Sequence, residues 1–284
     1  MDNYIILGHE NPDVDSIVSG YILEKIMIKK GYNASFIIPD KKIEDDSLSI
    51  CLENGLDPRV FQREITTKNN KYILVDHHER DVDGEIVGII DHHPTNKDIK
   101  ISNYYNEKVS STICFIAKNA IELLDKEDLY FVVLATLVDT VSFHSSKGRK
   151  EDYEWCLDIC KKYNFNYDKL YLEGLRLTNI DDLNIASLNG LKKYNVNNLK
   201  IESSYIQIRD IEFNKELINN IIDILKKYII DNNIDIFVFI VHDMKYFKTM
   251  YYYIEKDNIK EKYYDAYTSR GNVIIPEIID MLNN

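Results

Sequence analysis

Five of the seven histidines fall in three short acidic clusters: Gly8-His9-Glu10-Asn11-Pro12-Asp13-Val14-Asp15-Ser16, Asp76-His77-His78-Glu79 and Asp91-His92-His93. Imidazoles and carboxylates without thiolates suit Mn²⁺, Fe²⁺, Co²⁺ or Zn²⁺ rather than a soft-metal site. Carboxylates packed together without a cation raise one another's pKa, and a bound metal removes that conflict. Asp13 and Asp15 stand close enough in one turn to aim at different ions, and Asp76 can bridge because a carboxylate has two oxygens. Asp139, after the apolar run Leu129 to Leu137, adds another carboxylate; its competing reading is an ordinary helix end. Two ions about 3.5–4 Å apart clamp the attacking and leaving oxygens of a phosphoryl group and lower the pKa of a shared water. These residue types point to metal-assisted phosphate hydrolysis and name no substrate.

Each cluster follows an apolar run: Tyr4-Ile5-Ile6-Leu7, Tyr72-Ile73-Leu74-Val75 and Ile86-Val87-Gly88-Ile89-Ile90. Such runs read as buried strands of a parallel sheet. Ligands bind beyond the carboxyl ends of such strands, so three strand ends would gather the clusters at one edge. The first half alternates strand and helix. Helices are expected over 16–30, 45–54, 110–124, 129–137, 151–162 and 167–177, and a short strand at 35–39. The composition changes around 181–192. Beyond it come two strands near 199–208, a helix at 214–230, strands at 234–241 and 249–254, another strand before Ser269, and a helix at 276–282. The expectation is an α/β chain of two domains: a catalytic one at 1–185 and a smaller one at 190–284.

With 284 residues, 45% of them hydrophobic, the chain can bury a substantial core. Its net charge of −12, from 47 acidic and 35 basic residues, disfavours tracking a long nucleic acid. A small anionic substrate remains compatible if metal ions supply the positive charge. The apolar stretch after Met1 is broken by His9 and Asp13, unlike a secretory leader, and no run of about 18 apolar residues suggests a membrane span. Cys51, Cys114, Cys156 and Cys160 are scattered and read as reduced packing residues. The expected location is cytoplasmic. Outside the clusters, His144 reads either as exposed or as within reach of the site, and His242 as structural or at the domain cleft. The many tyrosines read as strand and core residues, since no basic interleaving accompanies them.

The motif order resembles the DHH phosphoesterase superfamily, and within it the family II, manganese-dependent inorganic pyrophosphatases. The resemblance is carried by His9-x-Asn11-Pro12-Asp13-x-Asp15-Ser16, Val75-Asp76-His77, Asp91-His92-His93 and Asp139-Thr140. It implies an N-terminal parallel-sheet DHH domain, a smaller DHHA2-like C-terminal domain, and an active site in the cleft. It implies two Mn²⁺ ions, with Co²⁺ or Mg²⁺ as substitutes: His9 and Asp13 on one, Asp15, His92 and Asp139 on the other, Asp76 on both. It gives His93 the phosphate and makes His77 a phosphate-contacting or outer residue, so that His93, His77 and Asp13 are the catalytic candidates. Arg270 and Lys192 join His93 as substrate-binding candidates, although Lys192 also reads as a solvated face beside Lys193. It implies a small phosphate substrate, no membrane or long nucleic acid, and a homodimer.

Two departures stand out. His78 occupies a place where the family usually has Asn. Ser269-Arg270 is followed by Gly271-Asn272 where the family has two lysines. The expected reaction is hydrolysis of pyrophosphate to two phosphates. The alternatives are a short-chain exopolyphosphatase, a small nucleotide phosphoesterase of the same superfamily, or a non-hydrolysing metal- and nucleotide-binding regulator. The missing glycine-rich C-terminal segment argues against the oligonucleotide-degrading branch.

Overall fold

The computed structural model describes residues 2–66, 70–95, 99–101, 103–256 and 258–283. It separates into two compact units, Met1–Gly174 and Leu175–Asn284. Unit one runs β1 (Asn3–Leu7), α1 (Val14–Lys29), β2 (Asn33–Phe36), α2 (Asp45–Glu53), β3 (Asn70–Val75), β4 (Gly84–Asp91) and β5 (Tyr104–Asn106). Four helices follow: α3 (Thr112–Lys118), α4 (Lys126–Asp139), α5 (Lys150–Tyr163) and α6 (Tyr167–Gly174). The strands form one parallel sheet in the order β2-β1-β3-β4-β5.

Alternation along the strands gives this sheet two apolar faces. Ile6, Phe36 and Val75 join the core built from α1, α3 and α4, while Ile5, Leu7, Tyr72, Leu74 and Ile89 form a separate core on the other face. Helix α1 is buried along most of its first two turns, and α4 from Phe131 to Leu137. Truncating a side chain such as Leu134 to Ala would cost about 2–5 kcal/mol through lost burial and a residual cavity. Asp125 and Asp128 start α4 with a reciprocal capping box, and the helix then runs straight to Asp139.

Several boundaries differ from the sequence reading. The helix expected over 110–124 stops at Lys118 and is followed by a short 3-10 turn at Ile121–Leu123. The strand expected over 35–39 ends at Phe36, and Ile38 makes only an isolated bridge to Gln62. All four cysteines are buried and free. Among the described residues, no helix is long and apolar enough to cross a membrane.

Unit two contains α7 (Leu183–Ser187), β6 (Lys192–Val196), β7 (Leu199–Ile208), α8 (Lys215–Asn232), β8 (Ile236–Asp243), β9 (Lys248–Glu255), β10 (Asn258–Tyr264) and α9 (Ile275–Asn283). Its sheet runs β10-β9-β8-β7-β6, with only β7 and β8 parallel. Central β8 is buried at every position, which accounts for its unbroken apolar run. The two strands expected near 199–208 are one strand, with its partner β6 lying earlier. The unit begins at Leu175, ahead of the expected 185 to 190, because the residues after Gly174 already bond to its sheet. Thr178 donates its amide to the Gln207 carbonyl and its Oγ1 accepts from the Gln207 amide, both at 2.9 Å.

Candidate metal centre

His9 and Asp76 lie just past β1 and β3, His92 and His93 just past β4, Asp13 and Asp15 at the start of α1, and Asp139 at the end of α4. Asp13 caps α1, its Oδ1 accepting from the Ser16 amide at 3.0 Å. Gly8 permits the close approach of this turn: a Cβ there would lie 2.2 Å from Ser16 Oγ, which accepts from the His9 amide. Asp76 sits at φ +65°, a left-handed conformation uncommon for a side chain other than Asn or Asp. Its amide donates to the Ile90 carbonyl at 2.8 Å, which ties the ends of β3 and β4 together.

The side chains converge into overlapping triplets: His9 with Asp13 and Asp76, Asp15 with His92 and Asp139, and Asp76 with His92 and His93. His9 Nδ1 lies 2.9 Å from the Glu10 carbonyl, which can only accept, so Nδ1 carries the proton. Nε2 then faces Asp13 Oδ1 at 3.5 Å and Asp76 Oδ2 at 3.6 Å. His92 Nε2 lies 3.4 Å from Asp76 Oδ1, 3.6 Å from Asp139 Oδ2 and 3.8 Å from Asp15 Oδ2. Asp76 Oδ2, His92 Nε2 and Asp139 Oδ2 are buried without hydrogen-bond partners. Acceptors that face one another in a buried space call for protons or cations between them.

The proton affinities report the same conflict. Burial and the neighbouring Asp76 and Asp139 charges push the Asp15 carboxyl far above its usual range. Burial, followed by the charge of Asp13, raises Asp76 to about 7. Burial would lower His9, but its contact with Asp13 outweighs this and raises it to about 10. The shortage of positive charge, the unpaired atoms and the hard-to-borderline donor set all fit divalent cations.

The third triplet is partly pre-empted. His93 Nδ1 lies 2.9 Å from Asp91 Oδ1, closer than its 3.7 Å to Asp76. That contact outweighs burial and raises His93 to about 9, leaving a 40% exposed cationic side chain beside the cluster. His77 belongs to none of the triplets. Its Nδ1 donates to the Val75 carbonyl at 2.9 Å, its Nε2 is buried without a partner, and burial lowers it to about 4. It is therefore a neutral ring with an acceptor nitrogen.

Supporting residues appear that the sequence reading did not single out. Asp15 accepts the Thr112 and Ile113 amides at the start of α3, at 2.8 and 3.0 Å. Thr112 Oγ1 donates to Asp76 Oδ1 at 3.1 Å, and Lys147 Nζ donates to Asp139 Oδ1 at 2.5 Å. Asp91 Oδ1 accepts the His92 and His93 amides, and its Oδ2 lies 2.7 Å from His78 Nδ1. The departure at position 78 thus adds a partner to Asp91, whose carboxyl is held well below its usual range against burial by His93 and His78.

In unit two, Lys192 opens β6 opposite Ser203 and is exposed. Arg270 donates to the Gly190 and Ser203 carbonyls at 2.5 and 3.4 Å and lies over the Tyr205 ring. Ser269 Oγ accepts from the Asn272 amide, and a Cβ on exposed Gly271 would touch nothing within 4 Å. His242 is buried with Nδ1 at 3.0 Å from Thr249 Oγ1, and exposed His144 meets Tyr171 OH at 2.9 Å.

Residues 3–138 match the DHH family, N-terminal domain. The N-terminal unit of the chain thus carries a DHH-family domain. It is 23% identical over 258 residues to the manganese-dependent inorganic pyrophosphatase of Bacillus subtilis (strain 168), covering 86% of this chain and 83% of that protein. A crystal structure from Methanococcus jannaschii, assigned to the family II inorganic pyrophosphatases, superposes with a TM-score of 0.64 at 20% identity. That superposition covers 99% of this chain and 100% of the other, and supports a shared fold. The matched segment holds all of the triplet residues except Asp139, which follows it directly.

Proposed function

We propose that this chain, with its DHH-family domain, is a two-metal phosphohydrolase that cleaves inorganic pyrophosphate to two phosphates with Mn²⁺. The observation that carries the reading is the convergence of buried, unpartnered Asp76 Oδ2, His92 Nε2 and Asp139 Oδ2 within overlapping histidine–carboxylate triplets. In this assignment His9 and Asp13 hold one ion, Asp15, His92 and Asp139 the second, and Asp76 both. Such ions supply Lewis acidity to phosphoryl oxygens and make water easier to deprotonate.

The chain's own groups divide the remaining work. His93, oriented by Asp91, presents a protonated and partly exposed imidazole that can donate to a phosphate oxygen. His77 Nε2 can accept a hydrogen bond from water but has no proton to give. Lys147 holds Asp139 in place, and Thr112 fixes one oxygen of Asp76. Arg270 and Lys192 serve as cations for the outer phosphate oxygens. The similarity to manganese-dependent pyrophosphatases supports both the metal and the substrate in this reading. The expected setting is the cytoplasm, and the expected assembly a homodimer.

Gly271-Asn272 favours a second reading, a short-chain exopolyphosphatase or small nucleotide phosphoesterase, because it leaves fewer cations for a doubly charged terminal phosphate. Phosphate release should be measured with Mn²⁺ near neutral pH on pyrophosphate, tripolyphosphate and a nucleotide phosphodiester. Fast, selective pyrophosphate hydrolysis supports the first reading. A better rate on another substrate supports the second. Tight phosphate binding without turnover on any of them would make the chain a regulator.

A further inference from the structure

Unit one contains a pocket of about 500 Å³ whose lining includes Ser142, Phe143, Arg149, Tyr153, Tyr167 and Tyr171. This volume falls within the range of small-molecule sites. Four aromatic rings adjoin one another around it: Phe143 and Tyr153 have centroids 5.3 Å apart, Tyr153 and Tyr167 6.5 Å, and Tyr167 and Tyr171 6.0 Å. Arg149 and Lys150 stand on the same wall, at the start of α5. The Arg149 side chain does not cap that helix, so its first-turn amides add to the positive end. Lys150 is partly committed to Glu154 at 3.6 Å, which makes Arg149 the principal cation.

The Ser142 side of the pocket is held firmly: Ser142 Oγ donates to the Tyr171 carbonyl at 2.6 Å, and the Ser142 amide donates to Leu137 O at 2.7 Å. Aromatic faces favour a flat ring, and Arg149 with the α5 terminus favours an attached anion.

We propose that this pocket binds a nucleoside monophosphate, its base among the tyrosines and its phosphate at Arg149. The site shares no residue with the metal triplets. It is tested by equilibrium dialysis of the full chain with adenosine 5′-monophosphate in excess chelator, where metal-dependent chemistry is silent. Saturable binding of one molecule per chain is expected. Arg149→Met should weaken it about tenfold or more, and Tyr153→Leu, which removes a ring from the lining, about three- to tenfold. Ribose 5-phosphate and adenosine should each bind at least about tenfold more weakly, while Asp76→Asn should bind like the parent chain. No saturable binding, equal binding of ribose 5-phosphate, or binding indifferent to both pocket variants overturns the proposal. So does binding that is lost in Asp76→Asn, because it would place the ligand at the metal centre. Near-ultraviolet circular dichroism checks that each variant is folded, and Tyr153→Leu keeps the test decisive should Arg149→Met fail to fold.

Discussion

Replacing Asp76 by Asn should stabilise the metal-free protein and abolish its response to metal. Asn is nearly isosteric, tolerates the left-handed φ of +65°, and can still accept from Thr112 Oγ1. What it removes is a buried carboxylate whose pKa rises from 3.8 to about 7 on folding. The folded state therefore binds more protons than the unfolded chain between those values, and stability falls as pH rises through that window. At ~1.4 kcal/mol per pH unit the difference bounds the loss at pH 8 near 4 kcal/mol. The Asn amide must itself be taken out of water, which reduces the expected gain on substitution to about 1–3 kcal/mol, or roughly 3–10 °C in Tm. Mn²⁺ at about 100 times its Kd would stabilise the parent protein by ~2.7 kcal/mol. The Asn variant should gain little, because His9–Asp13 and His92 lose their shared partner. Calorimetry of chelator-treated protein at pH 5 and pH 8, with and without Mn²⁺, measures all of these terms. Without metal, the gap between parent and variant should shrink at pH 5, where Asp76 of the folded parent is protonated. A variant less stable than the parent at pH 8 without metal, or one equally stabilised by Mn²⁺, would refute the reasoning.

Metal binding should release protons at pH 7–8 and strengthen as pH rises, since His9 must shed a proton held to about pH 10; titration in weakly buffered solution reads this directly. Without metal, the His9 contribution to stability is complete below pH 6.5 and is lost as pH climbs towards 10, so the metal-free melting temperature should fall over that interval. Lys147→Met leaves Asp139 without its ammonium partner; allowing for the partial exposure of Lys147, metal-free stability should drop by about 1–2 kcal/mol and recover on adding Mn²⁺. Asp91→Asn should lower turnover by about 10- to 100-fold, although Asp91 is assigned to neither ion, because it orients His93 and the turn bearing His92; unchanged kcat would remove that role. Gly271→Lys fits without a clash and should raise pyrophosphate turnover, and a neutral result would undercut the cationic account of that segment.

The histidine and carboxylate clusters could be read directly because each follows a strand by one or a few residues, so local sequence already placed them at strand ends. The long apolar stretches behind α1, α4, β3, β4 and β8 were legible for the same reason: burial writes a periodic or continuous pattern into the chain. The three-residue β5 and the five-residue α7 are too short to leave such a pattern. Strand β6 is half polar because it lies at an edge, and only its pairing with β7 identifies it.

Tertiary structure alone decided which groups face which. It set Asp91 to orient His93 and contact His78, brought Lys147 to Asp139 and Thr112 to Asp76, and gathered Arg149 with the tyrosines of α5 and α6. The physical reason is range. The types and spacing of ligands are properties of a few consecutive residues, whereas charge balance and unpaired atoms depend on neighbours brought close only when the sheet and its helices pack.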